Sequence, residues 1–495
     1  MGLPVRQEHF EPDDYARFAE RLDQDLEALG RLLARPGFGE GPPSLGAEID
    51  LSLIDANARA FNVARDVLAD SLDPQLQLEL DRFNLEYNLT PVATAGRPLG
   101  ALEDELTRAL ARVDGVAALH GGRAIAIGIL PTLTLDDLKG SVMTDLPRYR
   151  ALTRAIRGLR GGPVRVRIGG ADPLDLSCDD VTLEGANTSF QVHLRVAPHE
   201  FAATYNAAQI VTPIAMAAAA NSPFFLGHRL WDETRVALFQ QVIDTRAAAQ
   251  RAAQQPARVS FGQGWVRDGA FELFAENVAL HQPLLPVVGP GNPLGVIEAG
   301  GLPSLAELRL HQGTVWHWNR AIYDPGAGGH LRIELRTLPG GPTPADMIAN
   351  AAFLVGLTVG LRDGLQELLP AFPFRYAEHN FVEAAQHGLD ATLAWPTRKP
   401  PSPRTANARE LAIELLDVAR AGLSKLGIAD ADAEPRIALI EARLRADTNG
   451  ARWQRRMLEG RTTRKERSDA LAAIVDAYLR EAAGGRPVHD WSEAR

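Results

Sequence analysis

Residues 330–339 read His330-Leu331-Arg332-Ile333-Glu334-Leu335-Arg336-Thr337-Leu338-Pro339, and this stretch decides the fold. Successive side chains of a strand point to opposite faces, so one face is apolar and the other places Glu334 between Arg332 and Arg336. A carboxylate can hold a divalent metal, and guanidiniums suit phosphate or carboxylate groups. The alternative interpretation is a strand whose polar face is exposed to solvent and whose charges pair with charges on the neighbouring strands. The choice depends on whether other strands repeat the pattern.

Three further segments alternate in the same way, at residues 46–53, 82–89 and 189–196. In the first, Glu48 and Asp50 lie two residues apart on one face, where they repel each other unless a cation lies between them. If the four segments are neighbours in one antiparallel sheet, their polar sides share one face. That face then collects Glu48, Asp50, Glu86, His193, Arg332, Glu334 and Arg336.

Four carboxylates and one imidazole make an oxygen-rich site that suits Mg²⁺ or Mn²⁺. The arginines would offset phosphate charge. Such a site fits phosphoryl transfer from ATP, in which positioning and electrostatic stabilisation supply most of the rate. Zinc-dependent hydrolysis fits less well, because oxygen ligands dominate and the sequence has no His-Glu-x-x-His motif.

Several short motifs, in this order along the chain, resemble those of glutamate–cysteine ligase family 2, the carboxylate–amine ligases distantly related to glutamine synthetase. They are Gly46-Ala47-Glu48-Ile49-Asp50, Leu85-Glu86-Tyr87-Asn88-Leu89-Thr90-Pro91, Gln191-Val192-His193, Asn221-Ser222-Pro223-Phe224-Phe225-Leu226-Gly227 and Arg332-Ile333-Glu334-Leu335-Arg336. The resemblance implies an α+β fold in which a curved antiparallel sheet forms a funnel flanked by helices. It also implies an ATP-dependent ligase that makes an acyl phosphate, which an amine then attacks to give an amide, ADP and phosphate.

The same resemblance implies roles for individual residues. The metal ligands would be Glu48, Asp50, Glu86, His193 and Glu334, and the catalytic residues would be Arg332, Glu334 and Arg336. Arg332 and Arg336 would hold the phosphates of ATP, while Arg235 and Gln191 would bind the substrates. Two positions depart from the family pattern, because Asp50 stands where the family often has Glu and Gln191 where it often has a second His. These departures leave the amine, and even the acid, open.

Composition limits the classes of partner. The chain has 495 residues and a formal net charge of -10, which argues against a general nucleic-acid binder. The single cysteine, Cys178, allows no intrachain disulfide, and no apolar signal core is seen at the N-terminus, so we expect a cytoplasmic protein. The longest apolar stretches are too short or too interrupted to predict a membrane span. The expected partners are a glutamate-like carboxylate and an amine, and the sequence leaves a homo-oligomer open.

The sequence predicts a catalytic region at residues 1–380 and a mostly helical C-terminal region at 381–495, where Ala, Leu, Arg and Glu dominate. Helical spacing of apolar residues also predicts a first helix over residues 12–33, and the apolar run 121–130 predicts a buried strand. Two alternative functions stay open at this point. One is a metal-dependent kinase or phosphotransferase, and the other is a non-catalytic relative that binds a nucleotide or metabolite.

Overall fold

The computed structural model describes residues 3, 5–178, 181–398, 402–461 and 463–493. In this part of the chain the strands are β1 (Ser44–Ile54), β2 (Leu76–Leu78), β3 (Asn84–Asn88), β4 (Val92–Ala93), β5 (Arg123–Ile125), β6 (Val164–Ile168), β7 (Leu174–Cys178), β8 (Phe190–Val196), β9 (Phe224–Phe225), β10 (His228–Arg229), β11 (Val259–Ser260), β12 (Trp316–His317), β13 (Asn319–Asp324), β14 (His330–Leu335), β15 (Thr392–Trp395) and β16 (Arg404–Asn407).

The α-helices are α1 (Pro12–Leu33), α2 (Ala64–Ser71), α3 (Pro98–Leu119), α4 (Pro147–Arg160), α5 (Phe201–Ala219), α6 (Thr234–Val242), α7 (Ala248–Ala252), α8 (Ala270–Leu280), α9 (Pro293–Glu298), α10 (Ala306–Gln312), α11 (Pro344–Arg362), α12 (Phe374–His387), α13 (Ala408–Glu414), α14 (Leu416–Lys425), α15 (Asp430–Arg445), α16 (Gly450–Leu458) and α17 (Arg464–Ala483). The first helix has the predicted bounds. It begins with a proline at its first turn, where the missing N–H costs nothing.

The largest sheet has the strand order β13-β14-β8-β1-β3-β2, and β4 and β5 also pair with β1. All of these pairs are antiparallel. The sheet curls into a half-barrel. The four alternating segments of the sequence form β1, β3, β8 and β14, so the predicted curved antiparallel sheet is confirmed.

The strand register lines up the charged positions across the sheet. Glu334 on β14 lies opposite Arg320 on β13 and opposite His193 on β8. Asp50 on β1 lies opposite Glu86 on β3. Because side chains directly across an antiparallel pair lie about 5 Å apart, this register brings distant segments of the chain into contact on one face.

The other face of the sheet is the hydrophobic core. Ile49, Leu194 and Ile333 are fully buried there, and the helices α5 and α11 pack behind the sheet against β13 and β8. In the described residues, α11 is the one helix long and apolar enough to cross a membrane, and most of its apolar window is buried inside the protein. Its apolar character therefore matches its place in the core.

The C-terminal helices pack directly on this core. Both α14 and α15 contact α11, and Arg443 of α15 forms a buried ion pair of 2.7 Å with Asp346 of α11. The predicted boundary at residue 380 falls inside α12. The division into two regions stays a prediction.

Candidate active site

The polar face of the sheet lines a cavity of about 1040 Å³. The strand β1 contributes Glu48 and Asp50, β3 contributes Glu86, β8 contributes His193, and β14 contributes Glu334. All five side chains line the cavity. The structure thus brings together the residues that the sequence singled out as metal ligands.

Glu48, His193 and Glu334 form a first cluster. One ligand atom from each lies within 4.8 Å of the others. The His193 Nε2 atom is 3.6 Å from Glu48 Oε2 and 3.9 Å from Glu334 Oε1. These distances leave room for a cation between the three side chains, and two carboxylates with one neutral imidazole are suitable ligands for Mg²⁺ or Mn²⁺.

Asp50, Glu79 and Glu86 form a second cluster with the same 4.8 Å limit. Ser189 donates to Asp50 Oδ2 from its main-chain N–H at 2.8 Å and from its hydroxyl at 2.7 Å. The Asn88 side-chain amide donates to Glu86 Oε1 at 2.6 Å. No cationic side chain in the described residues forms an ion pair with any of the three carboxylates.

Burial and mutual repulsion set the electrostatics of this second cluster. Burial first, and then the Glu48 charge, raise the pKa of Asp50 to about 6. Burial and Asp50 raise the pKa of Glu79 to about 7, and the pKa of Glu86 is raised well above its usual value for the same kind of reason. A divalent cation would offset this cost, because it favours the ionised carboxylates. The donor set therefore fits a magnesium or manganese ion, and the role of these residues as ligands stays a prediction.

Glu334 is held by two arginines. Arg320 donates to it in a bidentate manner, with Nε 2.6 Å from Oε2 and Nη2 3.1 Å from Oε1. Arg336 Nη1 is 3.2 Å from the same Oε2. Burial alone would raise the pKa of Glu334, but Arg320 and Arg336 together lower it well below its usual range. Glu334 is therefore ionised at any physiological pH and presents a fixed carboxylate to the first cluster.

Arg336 and Gln191 act as a pair. Arg336 donates from Nη1 to the Gln191 side-chain oxygen, and both line the cavity. Glu334 and Glu48 raise the pKa of Arg336 against the effect of burial, so the guanidinium keeps its charge. Gln191 thus orients Arg336 toward the cavity, and the predicted substrate contact of Gln191 stays untested.

Arg332 lies at one end of the cavity, the end that is formed by the β13–β14 turn. It pairs with Asp324 at 2.8 Å and lies directly opposite Arg195 of β8. Arg195 donates to the Glu40 carbonyl at 3.2 Å and has no carboxylate partner in the described residues. The Nε atoms of both arginines are buried without a hydrogen-bond partner among those residues. Because like charges directly across a sheet destabilise it, this end favours an anionic ligand.

Arg235, which the resemblance suggests as a substrate-binding residue, lines the cavity and is also held by partners within the protein. It is buried, its Nε donates to Glu233 at 2.7 Å, and its Nη2 donates to the Thr337 carbonyl at 2.5 Å. These two contacts let the guanidinium support the chain after β14, and the predicted role of Arg235 in substrate binding stays a prediction. Sequence spacing could not reveal the contact with Thr337, which lies 102 residues further along the chain.

Sequence reasoning missed Glu79 and Arg320. Glu79 follows the short strand β2, and the run Leu76-Gln77-Leu78-Glu79-Leu80 alternates just as the recognised strands do. Arg320 precedes a glycine-rich turn and the strand that carries Glu334. If that turn closes a β-hairpin, Arg320 and Glu334 lie opposite each other. The alternation that marks Glu79 and the hairpin that marks Arg320 were therefore both present in the sequence.

A family comparison covers most of the chain. Residues 44–476 match the model of glutamate–cysteine ligase family 2. The curled sheet, the acidic site and this match define an ATP-dependent ligase that forms a carbon–nitrogen bond. The chain belongs to glutamate–cysteine ligase family 2.

Solved structures share the fold at low sequence identity. A glutamate–cysteine ligase from Francisella tularensis, determined in complex with AMP, aligns with a TM-score of 0.53 and 11% identity over 90% of this chain and 93% of its own. A bifunctional glutathione synthetase from Pasteurella multocida aligns with a TM-score of 0.46 and 11% identity over 93% of this chain and 55% of its own. No curated protein sequence matches the chain.

Proposed function

We propose that the protein uses ATP and Mg²⁺ or Mn²⁺ to join the side-chain carboxylate of glutamate, or of a related amino acid, to an amine. The observation that carries this proposal is the pair of adjacent clusters on one sheet face, Glu48–His193–Glu334 and Asp50–Glu79–Glu86. Two divalent cations at these clusters would supply charge neutralisation for the ATP phosphates and for the reacting carboxylate. A glutamate–cysteine ligase solved with AMP has the same fold, which is consistent with a nucleotide in the cavity.

The reaction would proceed in two steps. A carboxylate oxygen of the acid attacks the terminal phosphorus of ATP, so the bond to the ADP oxygen breaks and an acyl phosphate forms. The amine nitrogen then attacks the acyl carbon, phosphate leaves with its bonding electrons, and the nitrogen loses a proton. Arg336, fixed by Gln191 and Glu334, would stabilise the charge on the transferring phosphoryl group.

The charge distribution along the cavity favours one orientation of the substrates. The end at the β13–β14 turn carries Arg195 and Arg332 side by side, which suits the phosphates of a nucleotide. The opposite end carries Glu79, Glu86 and Glu184, which suits cations. We therefore place the nucleotide at the turn, the reacting carboxylate between the clusters, and the amine at the acidic end.

Hydroxylamine tests the proposal without knowledge of the natural amine, because it captures an acyl phosphate as a hydroxamate. Incubation with ATP, Mg²⁺, glutamate and hydroxylamine is expected to release ADP and form γ-glutamyl hydroxamate in equal amounts. ADP release that needs an acid but no amine, with an acyl phosphate as the final product, would indicate a kinase instead. Tight nucleotide binding with no ADP release across a panel of acids would indicate a non-catalytic binder.

Glu334→Gln is expected to abolish hydroxamate formation, because it removes a fixed anionic ligand that faces His193. Circular dichroism checks that the variant is folded. The matched control is Glu20→Gln, which changes an exposed carboxylate on α1 far from the cavity. Normal turnover in folded Glu334→Gln would exclude the site as described.

A further inference from the structure

The acidic end of the cavity contains an arginine that no described residue neutralises. Arg148 lies in the first turn of α4 and lines the cavity. It forms no hydrogen bond or ion pair with the described residues, and a Cβ atom placed on Gly313, which also lines the cavity, would lie 3.9 Å from Arg148 Nη2. A partly buried guanidinium without a partner is suited to a carboxylate ligand.

A carboxylate without a partner lies at the same end. Glu184, on the 3-10 helix Thr182–Ala186, lines the cavity, and its carboxylate accepts no hydrogen bond from the described residues. Tyr149 also lines the cavity, and both Arg148 and Glu184 are close enough to its hydroxyl to act on its pKa. Among the residues that the structure describes, this end of the cavity thus presents a cation and an anion without partners, both near Tyr149.

Apolar side chains form the wall beside these charges. Leu152 lies one helical turn after Arg148 on the same face of α4. Phe239 and Ile243 share a face of the α6 segment, which contacts the 3-10 helix that carries Glu184. Phe239 also packs edge-on against Trp316 at 6.2 Å. All four line the cavity, so water in contact with this wall has few polar partners.

From this arrangement we propose that the amine substrate is an α-amino acid with a bulky apolar side chain. Its carboxylate binds Arg148, its amino group lies beside Glu184, and its side chain packs against Leu152, Phe239 and Ile243. The inference rests on the proposed ligase function and names the substrate class for its second step.

The acid substrate does not account for the same features. The reacting carboxylate of a glutamate-like acid must lie between the two clusters, and only two methylene groups join that carboxylate to its α-carbon. Such a molecule has no apolar group to place against Leu152, Phe239 and Ile243. A second substrate with a large apolar group uses the charges and the wall together.

The first test compares amines under the conditions that give hydroxamate. Leucine and phenylalanine are expected to serve as acceptors with a kcat/KM at least tenfold above that of glycine, cysteine or glutamate. A preference for cysteine or glycine would overturn the proposal. Hydroxamate formation without any amide from the apolar amino acids would overturn it too, while leaving the ligase function in place. Failure to form hydroxamate would overturn both.

The second test separates leucine from 3-methylbutylamine, which is leucine without its carboxylate. The wild-type protein is expected to prefer leucine, and Arg148→Gln is expected to reduce the ratio of the two kcat/KM values about tenfold or more, as loss of a charge-assisted hydrogen bond predicts. Arg154→Gln changes an exposed arginine on the same helix and serves as the matched control. An equal loss with both amines, or a raised KM for the acid measured with hydroxylamine, would contradict the assignment of Arg148.

Discussion

At the scale of single residues, the site contains two kinds of buried carboxylate. Glu334 is stabilised by Arg320 and Arg336 and stays ionised. Asp50, Glu79 and Glu86 have one another as neighbours and no guanidinium in an ion pair among the described residues. The first carboxylate is therefore fixed by the protein alone, whereas the other three store repulsion that a bound cation would relieve.

Glu79→Gln gives effects of opposite sign on stability and activity. Because Gln removes one of three crowded carboxylates, the metal-free variant is expected to have a higher Tm than the wild-type protein at pH 8. Turnover is expected to fall at least a hundredfold, because the second cluster loses an anionic ligand. Thermal unfolding with EDTA and a hydroxamate assay measure the two effects.

Glu20→Gln is the control for Glu79→Gln and is expected to change neither quantity. A lower Tm together with full activity in Glu79→Gln would show that Glu79 is an ordinary structural acid. The pKa of Glu79 is raised to about 7, so the carboxylate is mostly charged at pH 8, and the charged form is the one that burial destabilises. The raised pKa therefore also predicts a higher Tm for Glu79→Gln at pH 8.

The sequence predicted single residues where their role depended on strand alternation alone. Glu48, Asp50, Glu86, His193 and Glu334 could be found in this way, because period-two spacing fixes the face of each side chain. Roles that depend on a hydrogen-bond or ion-pair partner from a distant part of the chain could not be found in this way. The resemblance suggested substrate binding for Arg235, and only the fold reveals its contacts with Glu233 and Thr337.

At the scale of elements, the four alternating segments became adjacent strands, but the apolar run 121–130 did not become one strand. Only Arg123–Ile125 pairs with β1. Beyond it, the Ile127 carbonyl accepts from the Thr188 hydroxyl and the Ala126 carbonyl accepts from the Tyr478 hydroxyl. There, hydrogen bonds from side chains of distant elements take the place of the backbone hydrogen bonds between strands. Such contacts leave no local pattern in the sequence.

Three histidines near β11 and β12 predict how stability depends on pH. Burial lowers the pKa of His281 to about 3 and the pKa of His311 and His317 to about 4. The unfolded chain binds protons at these sites below about pH 6.5 while the folded protein does not, so stability is lost as the pH falls from 6.5 toward 4. At pH 5 each site costs roughly 2 kcal/mol by this linkage.

His281→Phe keeps a ring of similar shape at this buried position and removes one proton site. The fall in unfolding free energy between pH 7 and pH 5 is therefore expected to be roughly 2 kcal/mol smaller in the variant than in the wild-type protein. Urea titrations at the two pH values measure the difference. An identical fall in both proteins would show that His281 is not buried in its neutral form.

At the scale of the whole molecule, the C-terminal helices and the core behind the sheet form one packed unit. Asp346 of α11 pairs with Arg443 of α15 and accepts a hydrogen bond from the Val488 N–H near the chain end. Tyr478 of α17 reaches Asn221, whose side chain also donates to the Gly340 carbonyl just after β14. The sequence predicted helices in this region but not this support of the site, because the contacts join segments 97 or more residues apart.

Arg443→Met is expected to destabilise the protein by about 3–5 kcal/mol, because it leaves the buried Asp346 charge without its ion-pair partner. The double variant Arg443→Met/Asp346→Asn is expected to recover part of this loss. Arg445→Met, on the same helix but exposed, is the control and is expected to shift Tm only slightly. Equal stability of Arg443→Met and the control would show that the C-terminal helices are not anchored through this pair.

We propose that one concave sheet face holds two cations between side chains from distant segments. A crystal structure with Mn²⁺ and a non-hydrolysable ATP analogue tests it most directly, because anomalous scattering locates manganese without reference to the protein coordinates. We expect two manganese peaks, one within ligand distance of Glu48, His193 and Glu334 and one within ligand distance of Asp50, Glu79 and Glu86. Manganese bound elsewhere, or no manganese at either cluster with the nucleotide present, would contradict it.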